Sequence, residues 1–307
     1  MSALPLTDRG AEMAPDWIAA DWGTTHLRVF AMRDGRVIAE ADSPDGMGSL
    51  ARDGFEPALL ALIGRWLGHR PETRPIMVLA CGMVGARQGW VEAPYRPVPC
   101  VPVAPGELMR VPTRDPRIDV RIVPGLMQQH PADVMRGEET QLAGLLARDP
   151  GFEGCAILPG THSKHALIRG GRVQSFQTRM TGELFALLST QSVLRHSVAD
   201  TAADPDAFRE GLELGRSGRL LGSLFAIRAE SLIAGLGPAA ARSRLSGLLI
   251  GAELAGLPEG PLALIGSPAL SAPYREALAQ IGRAVTVHDG ADLARAGLAL
   301  ASEGAHP

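Results

Sequence analysis

The sequence predicts an α/β protein of two related lobes, each a mixed sheet carrying helices. Short apolar runs of strand length alternate with segments of helical periodicity along most of the 307 residues. Two glycine-threonine turns, Asp21-Trp22-Gly23-Thr24-Thr25 and Pro159-Gly160-Thr161-His162-Ser163-Lys164, each follow an apolar run and precede a hairpin. Those hairpins turn at Arg33-Asp34-Gly35-Arg36-Val37 and Arg169-Gly170-Gly171-Arg172-Val173. Gly35 lies twelve positions after Gly23 and Gly171 eleven after Gly160, so the two units match with a one-residue slip. Either turn alone is an ordinary hairpin signal; the recurrence of strand, Gly-Thr turn, strand, glycine turn and strand reads as an internal duplication.

In the first half, residues 17–20, 27–32 and 37–41 read as successive strands, and 55–67 spaces its apolar residues at helical intervals. Residues 76–80 form a continuous apolar run that feeds the glycine-rich stretch Cys81-Gly82-Met83-Val84-Gly85. Prolines at 94, 97, 99, 102, 105 and 112 exclude a long helix between Glu92 and Pro116 and leave looped chain. Residues 120–123 form another strand, and 137–146 place Leu142, Leu145 and Leu146 on one helical face. A hinge is expected just before that helix, dividing the chain into lobes 1–134 and 135–307. The second lobe opens with strand 156–158, passes through the repeated hairpin and continues with helix 181–194. Helices around 206–214, 219–236 and 239–254 precede strand 262–265, the turn Gly266-Ser267-Pro268, helix 274–281, strand 284–288 and helix 291–301. That last helix belongs to the second lobe or packs back on the first.

Composition narrows the function classes. With 46% hydrophobic and 21% charged residues the chain has material for two cores, and its formal charge of -3 carries no basic block suited to nucleic acid. No apolar run approaches the ~20 residues that cross a bilayer, and Asp8, Arg9 and Glu12 occupy the place of an apolar signal segment, so a cytoplasmic protein without membrane partners is expected. Three scattered cysteines argue against a disulfide framework. Lys164, the one lysine in the chain, directly follows the second Gly-Thr turn.

A tight hairpin of glycine and small hydroxyl residues turns backbone N–H groups and Thr hydroxyls inward, which suits phosphate oxygens. Gly23 and Gly160 are expected either to take positive φ or to admit a phosphate where a Cβ would stand. Neither a P-loop nor a dinucleotide-binding glycine fingerprint is present. Asp21, ending the first strand, is placed to hold Mg²⁺ through water or to cap its own turn. Gly137-Glu138-Glu139-Thr140-Gln141 puts carboxylates at a helix start, where they serve as a proton acceptor for a hydroxyl nucleophile or stabilise the helix. His162 and His165 lack accompanying ligands at zinc spacing.

DWGTTHLR, GMVGARQGWVEAPY, MRGEETQLAG, LPGTHSKHALI and MTGELFALLS, spread over residues 21–189, resemble the 2-dehydro-3-deoxygalactonokinase family of the actin, sugar kinase and heat-shock chaperone superfamily. The resemblance implies two ribonuclease-H-like (actin-like ATPase) lobes with mixed sheets around a central cleft. It implies a cytoplasmic enzyme of galactonate catabolism that uses ATP and Mg²⁺ to phosphorylate the terminal hydroxyl of 2-dehydro-3-deoxy-D-galactonate. Kinases of related acids such as 2-dehydro-3-deoxygluconate, and a non-catalytic sugar-acid sensor, share the same frame. Asp21, Gly23, Thr24 and Thr25 are implied as the first phosphate motif, and Gly160, Thr161, His162, Ser163 and Lys164 as the second. Gly266 and Ser267 resemble the adenosine motif, although relatives usually carry two glycines there. Related sugar kinases place an aspartate base where Glu138 stands, with Glu139 and Asp21 as the competing residues. For the sugar acid, Arg87 is the first choice of carboxylate partner, the other reading being a surface ion pair. Trp90, Glu92 and Tyr95 line the sugar chain or pack, and Arg179 reaches the cleft or pairs locally. A homodimer is compatible with the sequence.

Overall fold

The computed structural model describes residues 14–68, 74–199 and 202–303, so Asp8, Arg9 and Glu12 lie outside the described residues. The chain forms two compact units, residues 1–151 with 291–307, and residues 152–290.

In the first unit β1 (Trp17–Trp22) pairs antiparallel with β2 (Leu27–Arg33), which pairs with β3 (Arg36–Ser43). Helix α1 (Phe55–Leu67) follows, and β4 (Ile76–Gly82) then lies parallel to β1. The proline-rich segment contributes only short pieces, β5 (Tyr95–Pro97) and β6 (Met109–Arg110), before β7 (Ile118–Ile122). The main sheet runs β3-β2-β1-β4-β7-β6. Two strands absent from the periodicity, β8 (Gly125–Gln128) and β9 (Asp133–Met135), join β5 in a small second sheet. They are too short to establish an alternating pattern.

Alternation along β1 assigns the two faces of the main sheet. Ile18, Ala20 and Trp22 pack with Phe55, Leu59, Ile63 and Trp66 of α1. Trp17 and Ala19 join Met77, Leu79 and Cys81 on the opposite face, where Leu298 and Ala301 cover them. These last two belong to α8 (Gly290–Glu303), which therefore completes the first unit's core. Helix α2 (Glu138–Arg148) crosses α8 at two glycines: an added Cβ on Gly144 would lie 2.0 Å from the Leu293 carbonyl oxygen, and one on Gly297 1.9 Å from that of Thr140. This close crossing is why the division falls after Gly151 instead of before α2, at 134/135.

The second unit repeats the plan. β10 (Gly154–Leu158) pairs antiparallel with β11 (Ser163–Arg169), β11 with β12 (Arg172–Arg179), and β10 parallel with β13 (Leu262–Gly266); β14 (Thr286–Asp289) closes the order β12-β11-β10-β13-β14. Both hairpins turn through two residues of positive φ, Asp34-Gly35 and Gly170-Gly171, the conformation of a type I′ turn. Both also shift register two pairs in from the turn, between Ala31 and Met32 and between Leu167 and Ile168. The duplication thus extends to a shared bulge, and the one-residue slip falls between the Gly-Thr turn and that bulge. Each unit has the strand order of a ribonuclease-H-like lobe.

Between β12 and β13 run α3 (Thr181–Thr190), α4 (Pro205–Arg216), α5 (Leu220–Ile233) and α6 (Pro238–Leu254), and α7 (Pro268–Gln280) precedes β14. The expected helix 181–194 breaks at Thr190. Ser192 then accepts a hydrogen bond from the Leu194 amide and starts a separate 3₁₀ turn over Val193–His196. Helix α7 begins six residues before the expected start because Ser267 caps it and Pro268 fits its first turn. Helices α4 and α6 meet through paired glycines: a Cβ on Gly211, Gly215, Gly247 or Gly251 would stand 2.1–2.3 Å from a facing carbonyl oxygen. Among the described residues no helix is long and apolar enough to cross a membrane.

Candidate active site

The first unit gathers its candidate side chains where β1 and β4 end and α2 begins. Parallel register sets Asp21 beside Cys81 and Trp22 beside Gly82. Gly82 has φ +88°, and a Cβ there would meet the Trp22 carbonyl oxygen at 2.5 Å; Gly137 has φ +105° and presses to within 3.1 Å of the Gly82 Cα by the same measure. Only glycines permit this contact, and it delivers the start of α2 to the Asp21 side of the sheet. Cys81 Sγ lies 3.9 Å from Asp21 Oδ1. Burial raises the Asp21 carboxyl, with Arg28 across the strand pair and the Cys81 contact acting in the opposite sense. Burial, with the charges of Asp21 and Glu139, pushes the Cys81 thiol well above its ordinary range.

The two glutamates of α2 are not equivalent. Glu138 is half-buried and accepts a hydrogen bond from the Arg136 amide at 3.0 Å. Glu139 is completely buried and accepts from the Gly137 amide at 2.7 Å and the Thr140 hydroxyl at 3.1 Å. Desolvation, reinforced by the charge of Glu138, pushes Glu139 up to about 8. Arg136 carries no role in the sequence reading, yet the residue is only 9% exposed, and its guanidinium stacks 4.2 Å over Tyr95 and donates to the Ala93 carbonyl, while Nε and Nη1 find no partner in the protein. An arginine directly ahead of the helix-start glutamates is the signal that marks it.

The first Gly-Thr turn rests on a platform the sequence reading passed over. Met47 and Gly48 amides donate to the Gly23 and Thr24 carbonyls, and a Cβ on Gly46 would fall 2.3 Å from the Thr24 oxygen. Thr24 and Thr25 are exposed, and Thr25 Oγ1 pairs with His26 Nδ1 at 2.9 Å. Neither Gly23 nor Gly160 takes positive φ, which removes that half of their expected requirement. A Cβ at Gly160 would meet nothing within 4 Å, and one at Gly23 makes only ordinary contact with the His26 oxygen at 3.5 Å. What their lack of a side chain leaves is open space at the turn.

Around the glycine-rich loop, Trp90 packs with Trp22 and Phe55 in an aromatic cluster and is 7% exposed, so packing is its role in the fold. Arg87 is exposed and pairs with Glu92 at 3.3 Å, so two residues expected at the sugar acid hold one another.

In the second unit, α3 buttresses the Gly160–Ser163 turn. A Cβ on Gly182 would lie 2.3 Å from the Gly160 carbonyl oxygen, the Glu183 amide donates to the Thr161 carbonyl, and the Glu183 carboxylate reaches His162 Nε2 at 2.6 Å. Ser163 is fully buried and its hydroxyl meets Tyr274 at 3.0 Å. Lys164 is buried too, with Nζ donating to the His162 carbonyl. Arg179 donates to Gln177 at 2.8 Å, a local contact. His165 pairs with Glu253, and among the described residues no group of three or more His, Cys, Asp or Glu could hold a metal ion. Gly266 lies beside the turn, a Cβ there standing 3.8 Å from Pro159 and 3.2 Å from Ser271 Oγ, while Ser267 caps α7.

Comparison with known proteins decides the family. The 2-keto-3-deoxy-galactonokinase model matches residues 21–301. The chain belongs to this family. It is 40% identical over 310 residues to a Rhizobium meliloti protein assigned as probable 2-dehydro-3-deoxygalactonokinase, covering 95% of this chain and 98% of that one. It is 34% identical over 296 residues to the 2-dehydro-3-deoxygalactonokinase of Escherichia coli K12, covering 93% and 97%. The crystal structure of a Sinorhizobium meliloti protein assigned the same activity superposes with a TM-score of 0.87 at 36% identity, over 95% of this chain and 99% of that one. A member of this family is a carbohydrate kinase, and ATP is its phosphoryl donor.

Proposed function

We propose that this chain transfers the γ-phosphoryl group of ATP to the terminal hydroxyl of 2-dehydro-3-deoxy-D-galactonate, giving the 6-phosphate and ADP in the cytoplasm. The observation that carries the reading is the repeated Gly-Thr turn following the central strand of each unit in a chain of this kinase family. Gly23, Thr24 and Thr25 in the first unit and Gly160, Thr161 and His162 in the second offer open turns with amides and hydroxyls for phosphate oxygens.

Glu138 is the base. As the substrate oxygen attacks the γ-phosphorus and the bond to the β-phosphate oxygen breaks, the hydroxyl proton passes to the Glu138 carboxylate. Burial favours Glu138 over Glu139, whose side chain is completely enclosed and whose carboxyl is pushed up to about 8. Asp21 fits a Mg²⁺ held through water: its carboxylate is desolvated and raised, a state a divalent cation would relieve, and Mg²⁺ needs few protein ligands when phosphates supply the rest. The ion would neutralise charge on the transferring group.

Arg87 is assigned to the sugar-acid carboxylate, with Glu92 releasing it when substrate binds and Tyr95 alongside. Gly266, flush against Pro159, and Ser267 are assigned to the adenosine end. Exposed Leu221, Phe225, Leu232 and Ile233 on α5 support a homodimer, which light scattering would test. A coupled ADP-release assay tests the reaction. The galactonate-derived acid is expected to give a kcat/KM at least about tenfold above the gluconate-derived epimer. The reverse order would reassign the substrate, and no ADP release with either would overturn the kinase reading.

A further inference from the structure

Behind the second Gly-Thr turn lies a buried polar network that the reaction itself does not use. Ser163, Thr181, Glu253 and Tyr274 are all at least nine-tenths buried, and the His165 side chain matches them. Tyr274 Oη lies 3.0 Å from Ser163 Oγ and 2.6 Å from Glu253 Oε2, while His165 Nε2 reaches Glu253 Oε1 at 2.9 Å. A carboxylate only accepts, so the phenolic proton goes to Glu253. The Ser163 hydroxyl must then donate to Tyr274. Burial and the charge of Glu253 push the phenol up, with Ser163 and Thr181 acting in the opposite sense.

The partners are not scattered. Ser163 is the residue at which the turn leaves for β11, and Thr181 opens α3, whose next residue Gly182 presses on Gly160 and Thr161. Tyr274 itself sits on α7, the helix that starts at Gly266-Ser267. One oxygen atom therefore ties the residue that ends the turn to the helix following the adenosine-like motif. Apolar side chains would fill this core at less cost in desolvation than a carboxylate does, which argues for a role in geometry.

We propose that Tyr274 is a positioning residue for nucleotide binding, holding the Gly160–Ser163 turn at the height its phosphate contacts require and in register with α7. The proposal rests on that turn being a phosphate site. Tyr274→Phe keeps the ring in the core and removes only the hub oxygen. Measured with saturating sugar acid and then with saturating ATP, it should raise KM for ATP about tenfold and leave KM for the sugar acid within twofold. Binding of ADP should weaken similarly, and that of adenosine, which has no phosphate, should not. Ser163→Ala should give a smaller loss of the same kind, and the double variant should lose less than the sum. Gly160→Val provides the control for the turn, since an added Cβ there meets no protein atom within 4 Å and the proposed phosphate occupies that open space. If Gly160→Val weakens ATP and folded Tyr274→Phe does not, the positioning role is wrong and the phosphate turn stands. If neither changes ATP affinity, the phosphate turn is wrong and the positioning role falls with it.

Discussion

Glu138 and Glu139 are chemically identical neighbours in different environments, the first half-buried and the second completely enclosed. Replacing Glu138 with Gln should lower turnover by about two to four orders of magnitude while nucleotide affinity, measured by titration calorimetry, stays near wild type; unchanged turnover removes it as the base. Glu139 predicts a pH effect instead. Its ordinary pKa of 4.5 stands near 8 in the fold, so the native state keeps a proton that the unfolded chain has lost between those values. Stability from this group is full below about pH 4.5, declines as pH rises and is lost above about 8. Glu139→Gln keeps an acceptor for the Gly137 amide and should flatten the fall of Tm between pH 5 and 8. Parallel Tm curves for the two proteins would show that Glu139 titrates normally. The sequence displayed both carboxylates and the helix start that holds them. It concealed which one is buried, because that follows from Gly82 and Gly137 touching, a contact between residues 55 positions apart. Arg136 and the Ser163 hydroxyl were hidden for the same reason: their partners Ala93, Tyr95 and Tyr274 are remote in sequence.

Helices α4 and α6 show how small residues set an element's position. Gly211 and Gly215 on one helix, and Gly247 and Gly251 on the other, bring backbones together so closely that each Cβ would overlap a carbonyl oxygen of the opposite helix. Gly215→Ala or Gly247→Ala forces the pair apart and should cost about 1–3 kcal/mol or more in thermal or urea unfolding. Gly222 on α5 has nothing within 4 Å of its added Cβ, so Gly222→Ala should be neutral or stabilising by up to about 1 kcal/mol. Equal losses at all three positions would make the effect one of glycine content and not of packing. Strands and hairpins were legible because period-two alternation and glycine turns are local signals, and α1 was legible to its ends. Helix crossings leave only a spacing of four between small residues, a pattern that apolar periodicity does not weigh. The break after Thr190 depended on a single Ser192 cap.

Duplication was visible in the two Gly-Thr hairpin units, down to the one-residue slip, and the return of the last helix to the first lobe was one of two readings, while the boundary after Gly151 depends on a helix crossing remote in sequence. Residues 291–307 cluster with 1–151, and Leu298 and Ala301 complete the face formed by Trp17, Phe30, Met32 and Leu79. Helix α8 thus closes the first core only after the entire second unit has been made, linking the earliest strand to the end of the chain. Leu298 is fully buried, so Leu298→Ala should cost about 2–5 kcal/mol. The loss should be confined to one unit. Hydrogen exchange should accelerate in β1, β2 and β4, whose residues Trp17, Phe30 and Leu79 lose their cover, and remain unchanged in β10 and β13, which have their own core of Ile157, Phe208, Leu212 and Leu264. Equal acceleration in both sheets would mean that the units unfold as one body and that α8 stabilises the whole chain instead of the first core.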